Sequence, residues 1–136
     1  MASLIDGARA ACANVGLELP DLELLILFGS AARERIRETS DVDVAVRCDA
    51  AADLDALFMA LAPRLKSDRL DLVDLRRAGP LLAFEVARSG YVLFERTPGL
   101  FREFQSLAFR RYADTRKLRD AQKRSLQVFL AQARRS

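Results

Sequence analysis

Apolar and polar positions along this 136-residue chain alternate between two periods, and each switch of period marks an element. Over residues 3–16, Leu4, Ile5, Ala8, Ala11, Cys12 and Val15 recur at helical spacing, which predicts a first helix with Ser3 as its cap and Gly16 at its end. LELLILF, residues 22–28, is apolar on both faces and predicts a strand central in its sheet. Gly29-Ser30 turns that strand into a short helix around residues 31–36, and polar RETS leads to a second strand over residues 41–47. DAAADLDALFMALAPRL reads as an amphipathic helix capped by Asp49 and ending near Pro63 or just beyond it. Residues 69–77, RLDLVDLRR, alternate with a period of two and predict a third strand. Pro80 suits the first turn of a helix running to about Arg88, and GYVLFE, residues 90–95, predicts a fourth strand. Thr97-Pro98 then opens a long helical stretch to the C-terminus, with a break expected near Asp114-Thr115.

Strands alternating with helices predict an α/β fold, a mixed sheet layered with helices. The length suits one principal body, here residues 1–97, with residues 98–136 as a helical extension. The longest apolar run, LLILF, is far too short to span a membrane, and the N-terminal residues lack the basic-then-apolar order of a signal peptide. Cys12 and Cys48 have no metal or redox spacing and read as small core residues, so a reduced, cytoplasmic setting is expected. Histidine is absent, which removes Ser-His-Asp and Cys-His chemistry and the usual zinc sites. Any chemistry must rest on carboxylates, bound metal, Arg/Lys or hydroxyls.

Two features fit that remainder. Asp41 and Asp43 lie two apart in a strand, so both side chains point to one face while Val42 and Val44 point to the other. Adjacent carboxylates raise one another's pKa unless a cation sits between them, and magnesium favours such oxygen ligands together with substrate phosphates. The second feature is the strand–Gly29-Ser30–helix turn, which presents backbone N–H groups and a hydroxyl to an anion. Arg33, one turn on, adds positive charge, and Ser40 stands beside the acidic pair. A third carboxylate from the next acidic strand would complete a two-metal clamp for phosphoryl-type transfer. Asp71 and Asp74 are the candidates, and they fall on opposite faces of that strand; the pattern favours Asp71, leaving Asp74 as a solvated acid beside Arg76 or Arg77.

From Gly29 to Asp43 the chain has the form G-S-x10-D-x-D, which resembles the signature of the DNA polymerase β-like nucleotidyltransferases. With its compact length, the RLDLVDLRRAGPLLAFEVARSGYVLFE that follows and the helical tail, it resembles the minimal nucleotidyltransferases, many of which are antitoxins paired with HEPN-domain toxin ribonucleases. That resemblance implies a polymerase β-like fold in which Gly29 and Ser30, with Arg33 and Ser40, hold the nucleoside triphosphate. It implies that Asp41, Asp43 and Asp71 hold two Mg2+ ions, Asp71 also being a candidate base. It further implies AMP transfer from ATP to a tyrosine of a HEPN toxin, within a hetero-oligomer. One departure is Glu34, where the family often has glycine after the arginine of the loop. Two rival functions are an antitoxin that neutralises by binding alone, and a nucleotidyltransferase acting on a small molecule of the aminoglycoside type.

Charge divides the chain unevenly. Residues 102–136 carry 10 Lys/Arg against 3 Asp/Glu, a net of +7, while residues 1–101 carry 12 against 16, a net of −4. Within the tail, Phe101, Phe104, Leu107, Ala108 and Tyr112 are spaced for core packing, and Leu118, Ala121, Leu126, Phe129 and Leu130 form a second apolar set. Two readings stay open: a helix packed on its own sheet with a solvated basic face, or a helix that docks an acidic or apolar protein surface. Direct nucleic-acid binding is not expected, because no aromatic is clearly interleaved among the basic residues.

Overall fold

The computed structural model describes residues 4–29 and 41–135. Four strands, β1 (Leu22–Phe28), β2 (Val42–Cys48), β3 (Leu70–Asp74) and β4 (Tyr91–Glu95), make one sheet in the order β3-β2-β1-β4. β1 runs antiparallel to both of its neighbours, whereas β2 and β3 are parallel. A parallel pair needs a crossover, which here includes the helix α3 (Leu54–Leu65). β1 holds the middle because it is apolar on both faces: Leu24, Leu25 and Ile26 are fully buried, each contributing about 1.5–3 kcal/mol of hydrophobic stabilisation.

Helices cover both faces. On one, α1 (Leu4–Cys12), α2 (Val15–Glu18) and α3 enclose a core of Cys12, Val15, Leu25, Leu27, Val44, Val46 and Leu61. On the other, α4 (Pro80–Ser89) and the first part of α5 (Leu100–Arg135) pack Ala83, Val86, Phe104 and Ala108 against Leu24, Ile26 and Ala45. Both cysteines are free and buried, as their isolation in the sequence suggested.

Element types follow the pattern closely, and the differences have local causes. The first helix is two: it breaks after Cys12, and Gly16 lies inside α2, where an added Cβ would strike the Phe94 ring. α3 is capped by Asp53, whose carboxylate accepts from Ala56 N at 3.1 Å, rather than by Asp49. Its end falls just beyond Pro63, as expected, where Lys66 takes the left-handed conformation at φ 52°. β3 stops at Asp74 instead of reaching Arg77, because the Asp74 carboxylate and carbonyl accept from Arg76 N and Arg77 N and close a turn. No break occurs at Asp114-Thr115. Thr115 Oγ1 donates to the Tyr112 carbonyl at 2.8 Å, satisfying its hydroxyl inside a helix that runs unbroken for 36 residues.

Candidate active site

The sheet delivers the acids to one place. Asp43 of β2 pairs across the antiparallel ladder with Phe28, the last residue of β1, and across the parallel ladder with Asp71 of β3. Register partners on adjacent strands share a face. Asp43 and Asp71 therefore stand side by side on the face that carries Ala45 and, further along, α4 and α5. Asp41 immediately precedes β2 and is exposed, as is Asp71, whereas Asp43 is half-buried. Burial raises the pKa of Asp43 first, and the like charges of Asp71 and then Asp41 raise it further. All three carboxylates are thus within electrostatic reach of one another.

Asp74 is on the other side. It pairs with Val46, a member of the core beneath α1 and α3, and its side chain is engaged with Arg76 N at 3.0 Å. Of the two acids the strand offers, only Asp71 shares a face with Asp43.

Gly29 closes the cluster from β1. Its φ of 73° lies in the left-handed region, and a Cβ built there would collide with the Asp43 carboxylate, Oδ2 first. The sequence assigned this glycine to the approach of a phosphate. Its close approach to Asp43 was missed, because it follows from the pairing of Phe28 with Asp43, which a single sequence does not display. Ser30, Arg33, Glu34 and Ser40 lie outside the described residues.

The donor set suits a hard divalent cation such as magnesium: every candidate ligand is a carboxylate oxygen, and the ionised form of the middle acid is disfavoured by its burial and then by its like-charged neighbours. The acids form a loose cluster rather than a finished cage. Among the described residues, no three Asp, Glu, Cys or His side chains stand close enough together to hold a metal ion. What the arrangement can do is place negative charge opposite a glycine turn, which is the requirement for gripping a metal-bound polyphosphate.

Comparison with known proteins agrees with this geometry. Residues 12–98 match the family described as Polymerase beta, Nucleotidyltransferase. The chain belongs to the polymerase β nucleotidyltransferase family. This nucleotidyltransferase is 30% identical over 125 residues to the protein adenylyltransferase MntA of Aphanizomenon flos-aquae (strain 2012/KM1/D3), covering 83% of each chain. It is 39% identical over 79 residues to the MntA of Shewanella oneidensis, covering 56% of each. Among solved structures, the nucleotidyltransferase superimposes on a chain of a toxin–antitoxin crystallised with AMP-PNP, with a TM-score of 0.71 and 28% identity over 88% of its own length and 98% of that chain. It also superimposes, with a TM-score of 0.63 and 28% identity over the same shares, on a chain from a complex of tri-AMPylated Shewanella oneidensis HEPN toxin with its MNT antitoxin. The family match stops at residue 98, so all of α5 lies beyond it.

Proposed function

We propose that this chain is a Mg2+-dependent protein adenylyltransferase that transfers AMP from ATP to a tyrosine of a HEPN-domain toxin, and thereby acts as an antitoxin in a complex with it. What supports the reading is the register pairing of Asp43 with Asp71, the like charge of Asp41 acting on Asp43, and the Gly29 turn against Asp43, in a chain 30% identical over 125 residues to an MntA adenylyltransferase. The likeness to toxin–antitoxin complexes, one with an ATP analogue and one with AMPylated toxin, supports both substrate and partner.

In the reaction, the tyrosine oxygen attacks the α-phosphorus of ATP. A new O–P bond forms, the bond from the α-phosphorus to the bridging oxygen breaks, and pyrophosphate leaves. The phenolic proton passes to a base, and Asp71, exposed on the edge strand, is the candidate. Asp41, Asp43 and Asp71 would hold magnesium, which supplies neutralisation of charge on the triphosphate and the leaving group. Gly29, with Ser30, Arg33 and Ser40, is assigned to the triphosphate. The protein's own part is chiefly positioning and electrostatics. Residues 1–97 serve as the catalytic unit, and residues 98–136 as an extension of it. Two free cysteines support work in a reducing compartment such as the cytoplasm, and among the described residues no helix is long and apolar enough to cross a membrane.

The test is mass spectrometry of the HEPN partner after incubation with this chain, ATP and magnesium. Added mass corresponding to AMP on tyrosine, with loss of ribonuclease activity, is the expected result. An inhibited but unmodified toxin would replace the reading with neutralisation by binding, and modification of an aminoglycoside alone would replace it with a small-molecule transferase.

A further inference from the structure

The apolar stripe that seats α5 on the sheet does not end where the body ends. Phe104 and Ala108 are buried in the core, and Tyr112 stacks on Phe84 of α4 with ring centroids 3.9 Å apart. Residues 116–134 are all exposed except the half-buried Ala121, and the helix continues to Arg135. At 1.5 Å per residue this projecting arm is about 30 Å long. Leu118, Leu126 and Phe129 continue the core-facing stripe at helical spacing and are 61%, 56% and 65% exposed.

A helix of this length standing in water is marginal on its own, so its exposed apolar face calls for a cover. Charge selects the cover. Residues 116–135 carry seven Lys/Arg (Arg116, Lys117, Arg119, Lys123, Arg124, Arg134, Arg135) against Asp120 alone, a net of +6. On the helix, Arg116, Lys123 and Arg134 run along one border of the stripe, and Arg119, whose guanidinium lies 4.1 Å from the Tyr112 ring centroid, begins the same border. A second copy of this chain would bring two such stretches together and be repelled. A surface with an apolar groove and an acidic rim satisfies both the stripe and its border.

We infer that the projecting part of α5 is the docking element of this chain: it lays Leu118, Leu126 and Phe129 into an apolar, acid-rimmed groove of the protein partner whose tyrosine is modified. This rests on the proposed function for the partner's identity, and adds where and by what chemistry that partner is held.

The experiment measures, with the full chain, the affinity for the purified HEPN-domain partner by titration calorimetry, alongside binding of ATP with magnesium. Leu126→Asp with Phe129→Asp, both exposed positions remote from the acids, is expected to weaken partner binding by at least ~100-fold while nucleotide binding is unchanged. Affinity for the partner should also fall as salt is raised. Undiminished partner affinity in the double variant would overturn the inference. So would a dimer of the chain alone, by light scattering, that the double variant abolishes. Tight, variant-sensitive binding of a partner that is never adenylylated would uphold the docking surface and refute the enzymatic reading instead.

Discussion

Asp43 and Asp71 are direct register partners on the parallel strands β2 and β3, and the pKa of the Asp43 carboxyl is raised first by its burial and then by the like charge of that partner. A pairing of like charges stabilises nothing by itself. Its presence in an otherwise well-patterned sheet is why we propose a functional role for the position.

The first prediction concerns pH. Because the folded pKa of Asp43 lies above its ordinary 3.8, the folded state holds that proton more tightly than the unfolded chain. The group's contribution is therefore fully present below pH 3.8 and is lost as pH rises through the folded value. Asp43→Asn removes the penalty at neutral pH. The variant should melt at or above the wild-type temperature at pH 7 while AMP transfer is abolished, as read by thermal denaturation and labelled-ATP incorporation. A clear loss of stability at pH 7 would contradict the electrostatic account.

Asp71 and Asp74 separate by face. Asp71→Asn should lower transfer by about 100-fold or more, a loss typical of removing one electrostatic contact to a transition state. Asp74→Asn keeps an oxygen for the Arg76 N–H and should stay within a few-fold of wild type. Steady-state kinetics on the pair decides the assignment, and the reverse ranking would move the third carboxylate to the other face.

Gly29→Ala carries a double cost. The left-handed φ disfavours any Cβ by roughly 1–2 kcal/mol, and this Cβ points into the Asp43 carboxylate. Lower denaturant stability and a fall in transfer larger than the stability loss explains are both expected, because the acid is displaced together with the turn.

Withdrawal of magnesium by EDTA should stop transfer, and adding magnesium back should raise the melting temperature by relieving repulsion around Asp43. The rise should be absent in Asp41→Asn/Asp43→Asn. An equal rise in that variant would place the ion elsewhere.

Much of this was legible in the sequence because the signals were local. The span of β1 is carried by LELLILF, and the strand bearing Asp43 by the apolar alternation that follows it. The pattern puts the cap of α3 too early, at Asp49, whereas the carboxylate of Asp53, immediately before the helix, accepts from Ala56 N. Thr115 looked like a break and proved compatible with the helix, since its hydroxyl reaches back to Tyr112. The contact of Gly29 with Asp43, and the placing of Asp71 beside Asp43, depend on which strands are neighbours, and no local pattern reports that.

The uninterrupted helix through Thr115 joins the sheet to the arm as a stiff handle, so whatever the arm grips is presented to the acids on a fixed bearing. One extra residue inserted at position 114 would swivel the gripped surface by about 100° about the handle's axis, whereas seven would return it to within ~20° of its first heading. Transfer should therefore track the handle's phase far more steeply than its length.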